Sequence, residues 1–164
     1  GKRTGFQKEA KGQKPQPIIE SDNSNQVPSL LENELKLENV YKKVNNFDHK
    51  QFLEGAKKAF EIIITSFNNG DKQTLKELVS KEVFKAFEEA IDSKTNNPSS
   101  QFYSLVIDGV EDAKVESGLI SISINFISEQ MLNNDEGKII KNKDTWTFEK
   151  AVNSSSPKWI LTQT

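Results

Sequence analysis

Apolar residues recur with a helical period between Leu37 and Ile91, and from Phe102 the period drops to two. The strongest helical stretch is Phe47–Gly70, FDHKQFLEGAKKAFEIIITSFNNG. At one hundred degrees per residue, Phe52, Ala56, Ala59, Phe60, Ile63 and Phe67 share roughly a third of the circumference. Leu53 and Ile64 flank that stripe, Glu54, Lys57, Lys58, Glu61 and Thr65 lie opposite, and Ile62 alone sits off the pattern. Asp48 is placed to cap the first free amides with Gln51 three residues on, Phe47 and Phe52 occupy the positions of a hydrophobic staple, and Asn68-Asn69-Gly70 supplies the stop. The run Ile62-Ile63-Ile64 is poor helix by propensity, so tertiary packing has to hold it. Burying the stripe would contribute roughly 5–15 kcal/mol gross, at about 1.5–3 per large apolar side chain. Chain entropy offsets most of that.

Shorter helices follow. Asp71 can cap one bearing Leu75, Leu78 and Val79, and Ser80 can cap another whose face is Val83, Phe84, Phe87, Ala90 and Ile91. A loop at Lys94–Ser100 contains Asn96-Asn97-Pro98. Tyr103–Val115 then reads as a strand, turning at Glu116-Ser117-Gly118. In Leu119–Glu129, Ile120, Ile122, Ile124 and Phe126 alternate with Ser121, Ser123 and Asn125, which predicts one buried and one wet face. Further strands are expected at Lys138–Lys150, with Trp146 and Phe148 on one face, and at Lys158–Thr164, with Trp159 and Leu161 on one face. Helices followed by four antiparallel strands predict an α+β domain with its helices packed on a curved sheet.

Upstream of the long helix the pattern weakens. Residues 1–28 are polar, with Pro15, Pro17, Pro28 and three glycines, and read as a disordered linker. Ser29 with Glu32 forms a possible capping box, and Leu37, Val40, Tyr41 and Val44 recur at helical spacing, so residues 29–46 predict a short lead-in helix. Its apolar face would either pack on the domain at 47–164 or dock on a membrane or partner. Charge divides along the same line. Residues 1–46 carry eight basic and six acidic side chains, whereas residues 47–164 carry fourteen and eighteen. In the first seventeen residues Lys2, Arg3, Lys8, Lys11 and Lys14 face Glu9 alone, a basic arm suited to an anionic partner. The acidic remainder argues against a nucleic-acid-binding face.

Candidate chemistry is sparse. The absence of cysteine removes disulfides, thiolate metal sites and cysteine nucleophiles, and a single histidine removes His-based metal clusters. No metal and no cofactor is expected. His49 is predicted at the surface on the first turn of the long helix, and Asp108, Glu111, Asp112 and Glu116 are expected along a solvated strand edge rather than paired for acid–base work. No phosphate loop or nucleophile elbow is present, so the chain is not expected to be an enzyme. No apolar run approaches the twenty residues of a membrane-spanning helix. The chain opens at Gly1 without a methionine, which suggests a processed or partial form.

Several stretches resemble a known family. Phe52-Leu53-Glu54-Gly55-Ala56-Lys57 with Ala59-Phe60-Glu61, then Gly70-Asp71 and Leu75, then Val83-Phe84-Lys85-Ala86-Phe87, are similar to the Tim44-like family. Ile124-Asn125-Phe126-Ile127-Ser128-Glu129-Gln130, Trp146-Thr147-Phe148-Glu149 and Pro157-Lys158-Trp159-Ile160-Leu161 continue the match in order and spacing across about 47–164. The family comprises peripheral tethers of the mitochondrial inner-membrane import motor and their bacterial relatives. The opening Gly1-Lys2-Arg3-Thr4-Gly5 also resembles the stretch after an N-terminal anchor in bacterial members. The long N-terminal region of mitochondrial members has no clear counterpart in residues 1–46.

The resemblance implies a cone-shaped, nuclear-transport-factor-two-like domain with an apolar pocket. It implies association with anionic, cardiolipin-rich phospholipid membrane and with membrane or translocation proteins. The location implied is the cytoplasmic side of an inner membrane, or the matrix side in a mitochondrion. A related branch includes mitochondrial ribosome receptors, and the same cone serves enzymes such as ketosteroid isomerases, so the fold alone does not decide function. The expected reading is a non-catalytic, membrane-associated adaptor. The alternatives are a module binding an apolar ligand or peptide in its cone, or a ribosome-receptor-like scaffold. If the helix stripe closes over the inner sheet face, Phe60, Ile64, Phe67, Ile122, Ile124, Phe126, Trp146, Phe148 and Trp159 converge, either around a pocket or as a packed core.

Overall fold

The computed structural model describes residues 27–93, 100–132 and 135–164. The basic arm of Lys2, Arg3, Lys8, Lys11 and Lys14 lies outside the described residues. A 3-10 segment, Glu32–Leu37, runs into a single helical turn α1 (Glu38–Tyr41). The long helix α2 is His49–Asn69, followed by α3 (Lys72–Leu78) and α4 (Lys81–Ser93). Four strands complete the chain: β1 (Ser100–Glu116), β2 (Leu119–Leu132), β3 (Asp135–Ala151) and β4 (Ile160–Gln163). They form one antiparallel sheet in sequence order. This is the expected α+β arrangement of helices on a curved four-stranded sheet.

The helix ends follow from local chemistry. Asp48 accepts from the Lys50 and Gln51 amides at 3.1 and 3.3 Å, and the Phe47 and Phe52 rings meet 6.1 Å apart as a staple. Gly70 closes α2 in the left-handed region, at φ 68°, where a Cβ would be strained. Asp71 caps α3 through the Thr74 amide, and Ser80 caps α4 through the Val83 amide. The β1–β2 hairpin turns on Ser117 and Gly118, both at positive φ, the requirement of a tight two-residue turn.

The sheet curves because β1 is irregular. Its register against β2 shifts between Phe102 and Ser104, between Ile107 and Gly109, and between Val110 and Asp112. At the other edge β4 pairs only with Thr147–Glu149 of β3, and a parallel bridge from Leu161 to Val79 ties it to the α3–α4 junction. The core lies between α2 and the inner sheet face, where Phe52, Phe60 and Ile63 meet Ile120, Ile122, Ile124, Phe126, Trp146 and Phe148, all buried.

The lead-in segment departs from expectation at its start. The helix starts at Glu32 behind Leu31, whose amide donates to the Glu34 carboxylate at 3.0 Å, so the Ser29–Glu32 capping box does not form. Its apolar face takes the first of its two expected roles and packs on the domain: Leu37 and Val40 are fully buried, Val44 nearly so, and all three belong to the same core as α2. The segment runs along the edge of β1 and covers it with side-chain donors. Asn33 Nδ2, Lys36 Nζ, Asn39 Nδ2 and Lys43 Nζ donate to the carbonyls of Asp108, Glu111, Ala113 and Val115. An edge strand left bare would invite pairing with another chain, so this cover is protective. Gly109 permits the close approach, since a Cβ there would meet Asn33 Cβ and its carbonyl oxygen at 3.1 Å.

Candidate functional site

The nine side chains expected to converge, around a pocket or as a packed core, do not enclose a common cavity. Phe60, Ile122, Ile124, Phe126 and Phe148 are 0–1% exposed and Trp146 is 4% exposed. Phe60, Ile122, Ile124, Phe126 and Trp146 border none of the clefts and touch other side chains instead. The Phe60 ring lies 4.4 Å from Phe126 and 4.3 Å from Trp146, and Trp146 lies 6.5 Å from Phe148. Offset and tilted rings at such distances are the packing of a filled aromatic core. Ile64 and Phe67 are half-buried at its margin, and Phe67 turns to Phe87 of α4 at 5.4 Å. The stripe therefore closes on the sheet as a packed core. The physical reason is size: four aromatic rings from one helix and two strands fill the space between them.

Open space lies instead at the N-terminal half of α2, on both sides of Trp159. The indole is clasped by Phe52 at 4.6 Å and Phe47 at 6.3 Å, with Lys150 Nζ over its ring at 5.7 Å. One cleft, of about 230 Å³, is walled by Phe47, Phe52, Gly55, Lys150 and Trp159, with Asn46, Asp48, Gln51 and Ser154 adding polar atoms. The other, of about 240 Å³, is mostly apolar: Ala56, Ala59, Ile62, Leu78, Phe148 and Trp159, rimmed by Lys58 and Lys158. Gly55, Pro157 and Trp159 belong to both. Of the nine expected residues, Trp159 and Phe148 reach a cleft. Ile62, off the helix stripe, is 40% exposed because it serves this cleft and not the core. Gly55 is the residue that periodicity could not flag. Nothing lies within 4 Å of where its Cβ would be, so neither turn nor close contact calls for glycine there.

His49 is not the surface residue that its helical position suggests. It is 4% exposed, because Tyr41 of the lead-in segment folds back over the start of α2. The His49 amide donates to Tyr41 Oη at 2.9 Å, and Tyr41 Oη lies 2.8 Å from His49 Nδ1. With the phenol proton directed to Nδ1, Nε2 faces Glu34 Oε1 at 3.6 Å. Burial raises the Tyr41 phenol above its ordinary range; the His49 amide bond opposes this, and the Asp48 and Glu34 carboxylates add to it. The cluster is a tie between lead-in segment and helix. Asp108, Glu111, Asp112 and Glu116 are all exposed, with Glu111 accepting from Asn125 and Glu116 near Lys114. Among the described residues no three His, Asp or Glu gather as metal ligands, and no helix is long and apolar enough to cross a membrane.

Comparison with known proteins adds three findings. Residues 35–164 match the Tim44-like domain family, so the match begins within the lead-in segment. An uncharacterised protein of Rickettsia prowazekii (strain Madrid E) is 26% identical over 125 residues. That alignment takes in 76% of this chain and 56% of the relative, so the chain spans little more than half of that protein's length. Among solved structures, the intermembrane-space region of the chloroplast protein ARC6 gives a TM-score of 0.33 at 12% identity, covering 65% of this chain and 92% of that one.

Proposed function

Because the chain belongs to the Tim44-like domain family, we propose that it is a non-catalytic adaptor that attaches to anionic membrane and positions protein partners there. Family membership supports a membrane-associated, translocation-related role in general terms, and the nuclear-transport-factor-two-like fold is that of Tim44-like domains. The observation that carries the reading is that the family match runs from Leu35 to the last residue, taking in α1–α4, all four strands and most of the lead-in segment. The finer parts of the proposal are the lipid, the partners and a place on the cytoplasmic or matrix side of an inner membrane.

The membrane contact is assigned to the basic arm, Lys2, Arg3, Lys8, Lys11 and Lys14. At about 1 kcal/mol per basic residue near an anionic surface, the arm supplies roughly 4–5 kcal/mol. That corresponds to a dissociation constant of about 1 mM, too weak to hold the protein alone. A second contact is needed. The face of Leu37, Val40, Tyr41 and Val44 is occupied, because Leu37, Val40 and Val44 are buried in the core and Tyr41 is tied to His49. A protein partner on the adaptor domain can provide the second contact.

Pelleting with anionic and with neutral liposomes across a salt series tests this reading. Binding to anionic vesicles should weaken as salt rises and when the five basic residues are replaced by glutamine. Equal binding to both vesicle types, or salt-independent binding, would overturn it. The second reading, a module that takes an apolar ligand or peptide without a membrane, draws on the clefts about Trp159. It predicts ligand uptake that is indifferent to vesicles.

A further inference from the structure

The two clefts beside Trp159 share a cationic rim and differ in polarity. The second has an apolar floor of Ala59, Ile62 and Phe148 under Lys58 and Lys158, and the first sets Phe47 and Phe52 among polar groups beside Lys150. None of the three lysines forms an ion pair with a carboxylate among the described residues, although Glu54 and Glu61 lie a turn from Lys58 on the same helix. Asp48, the acid in the lining, already accepts two helix amides through its carboxylate. The site is thus an apolar floor under uncompensated positive charge.

Size and shape select among occupants of that chemistry. Each cleft, at about 230 and 240 Å³, falls below the roughly 300–1,000 Å³ of a pocket that encloses a small molecule. Each is large enough for one apolar side chain. They adjoin through Gly55, Pro157 and Trp159, so two anchors of one segment can sit side by side across the indole edge. Asn46, Gln51 and Ser154 along one wall are neutral hydrogen-bonding groups suited to peptide amides and out of place in an acyl-chain tunnel. A tryptophan fixed by Phe52 and Phe47, beside a helix that carries glycine at Gly55, is the arrangement of a binding hot spot.

We propose that the paired clefts about Trp159 receive an acidic, amphipathic peptide segment of a partner protein, one apolar side chain in each cleft and carboxylates against Lys58, Lys150 and Lys158. The inference rests on the adaptor reading and names the chemistry of its protein partner. Gly55 holds the floor open, Ile62 and Trp159 supply the apolar contact, and the lysines select acid over base.

Selection of peptides from a displayed random library on the full chain tests the proposal. Enriched sequences should combine aliphatic or aromatic residues with Asp or Glu. A synthetic copy of one should lose affinity by about tenfold or more when Gly55→Leu fills the floor. It should lose a similar factor with Lys58→Glu and Lys158→Glu together, and that loss should be recovered by a copy of the peptide with lysine in place of its acids. Gly55→Leu meets open space, so its folding is expected to be intact; circular dichroism checks this, and the charge-reversed pair reads the site independently. No enrichment, enrichment of sequences without acids, or affinity unchanged in both variants would overturn the proposal. So would anionic phosphatidylglycerol vesicles whose binding is lost with Gly55→Leu while no peptide binds, since the clefts would then take lipid. Failure here with salt-sensitive vesicle binding retained sinks the peptide site and leaves the membrane adaptor standing.

Discussion

The two ends of the same three long strands have different fates. At the near end, beneath α2, Ile120 to Phe126 of β2 alternate strictly between buried and half-buried, and Trp146, Thr147 and Phe148 of β3 are all buried. At the far end every residue from Gly137 to Lys143 of β3 is exposed, and Tyr103 and Val106 of β1 are 57% and 50% exposed. Hydrogen bonding does not distinguish them, because the β2–β3 ladder runs through both ends. Cover does. α2 lies over the near end, β4 pairs only at Thr147–Glu149, and the lead-in segment guards β1 from Asp108 to Val115. A β-strand is a scaffold whose stability is supplied by what lies on its faces and edges.

The contrast is most sharply broken by removing an aromatic ring. Phe60→Ala or Trp146→Ala should cost roughly 3–5 kcal/mol, read by denaturant unfolding, because the surrounding rings cannot collapse into the space. The matching change at the far end, Ile140→Ala, should stay within about 0.5 kcal/mol. Comparable losses at the two ends would refute the division.

The edge cover is tested by Gly109→Ala. Its Cβ would stand 3.1 Å from Asn33, so the lead-in segment must move or the strand must bend. A loss of about 1–3 kcal/mol is expected. Amide hydrogen exchange should rise at Leu37 and Val40 before it rises in α2. Unchanged protection there would mean that the segment is held by its apolar face alone.

A smaller and opposite effect belongs to the helix that makes the near end. Gly55→Ala adds a Cβ in open space at a helix interior, so stability should rise by about 0.5–1 kcal/mol. A gain of that kind identifies the glycine as a cost borne by the fold. A loss would point to a packing role that the geometry does not contain.

The smallest effect lies at the seam. Asp144 stands between the exposed and buried stretches of β3, opposite Phe126, and burial raises its carboxyl above the usual carboxylate range. The folded protein then holds this proton more tightly than the unfolded chain. Its stabilising contribution is fully present below the unfolded pKa of about 4 and is lost as pH rises through the higher folded value. Asp144→Asn should therefore unfold at the same denaturant concentration as the parent near pH 3 and at a slightly higher one near pH 7. A difference that does not change with pH would assign the effect to something other than ionisation.

Much of this molecule is written locally. The stripe of α2, the caps at Asp48, Asp71 and Ser80, the stop at Gly70 and the alternation of β2 are readable because each depends on residues within a few positions of one another. The alternation of β1 is harder to read, because three register shifts move its inward residues off a strict period of two. Of the clefts, Trp159 and Phe148 were legible as apolar surface, whereas Gly55 and Ile62 were not. Periodicity states which residues share a face and is silent on whether anything covers it. Cover is set by where distant chain returns. The lead-in segment comes back to bury Leu37 and Val40, to put Asn33 and Asn39 on the edge of β1, and to lay Tyr41 over His49. The residues before β4 come back to set Trp159 against Phe52 and open the clefts beside it. The sequence by itself determined the elements and their faces. The tertiary structure alone decided that the helix stripe closes as a packed core, that the lead-in face is interior, and that open apolar surface lies at Trp159. These outcomes depend on contacts between residues dozens of positions apart, which no local period records.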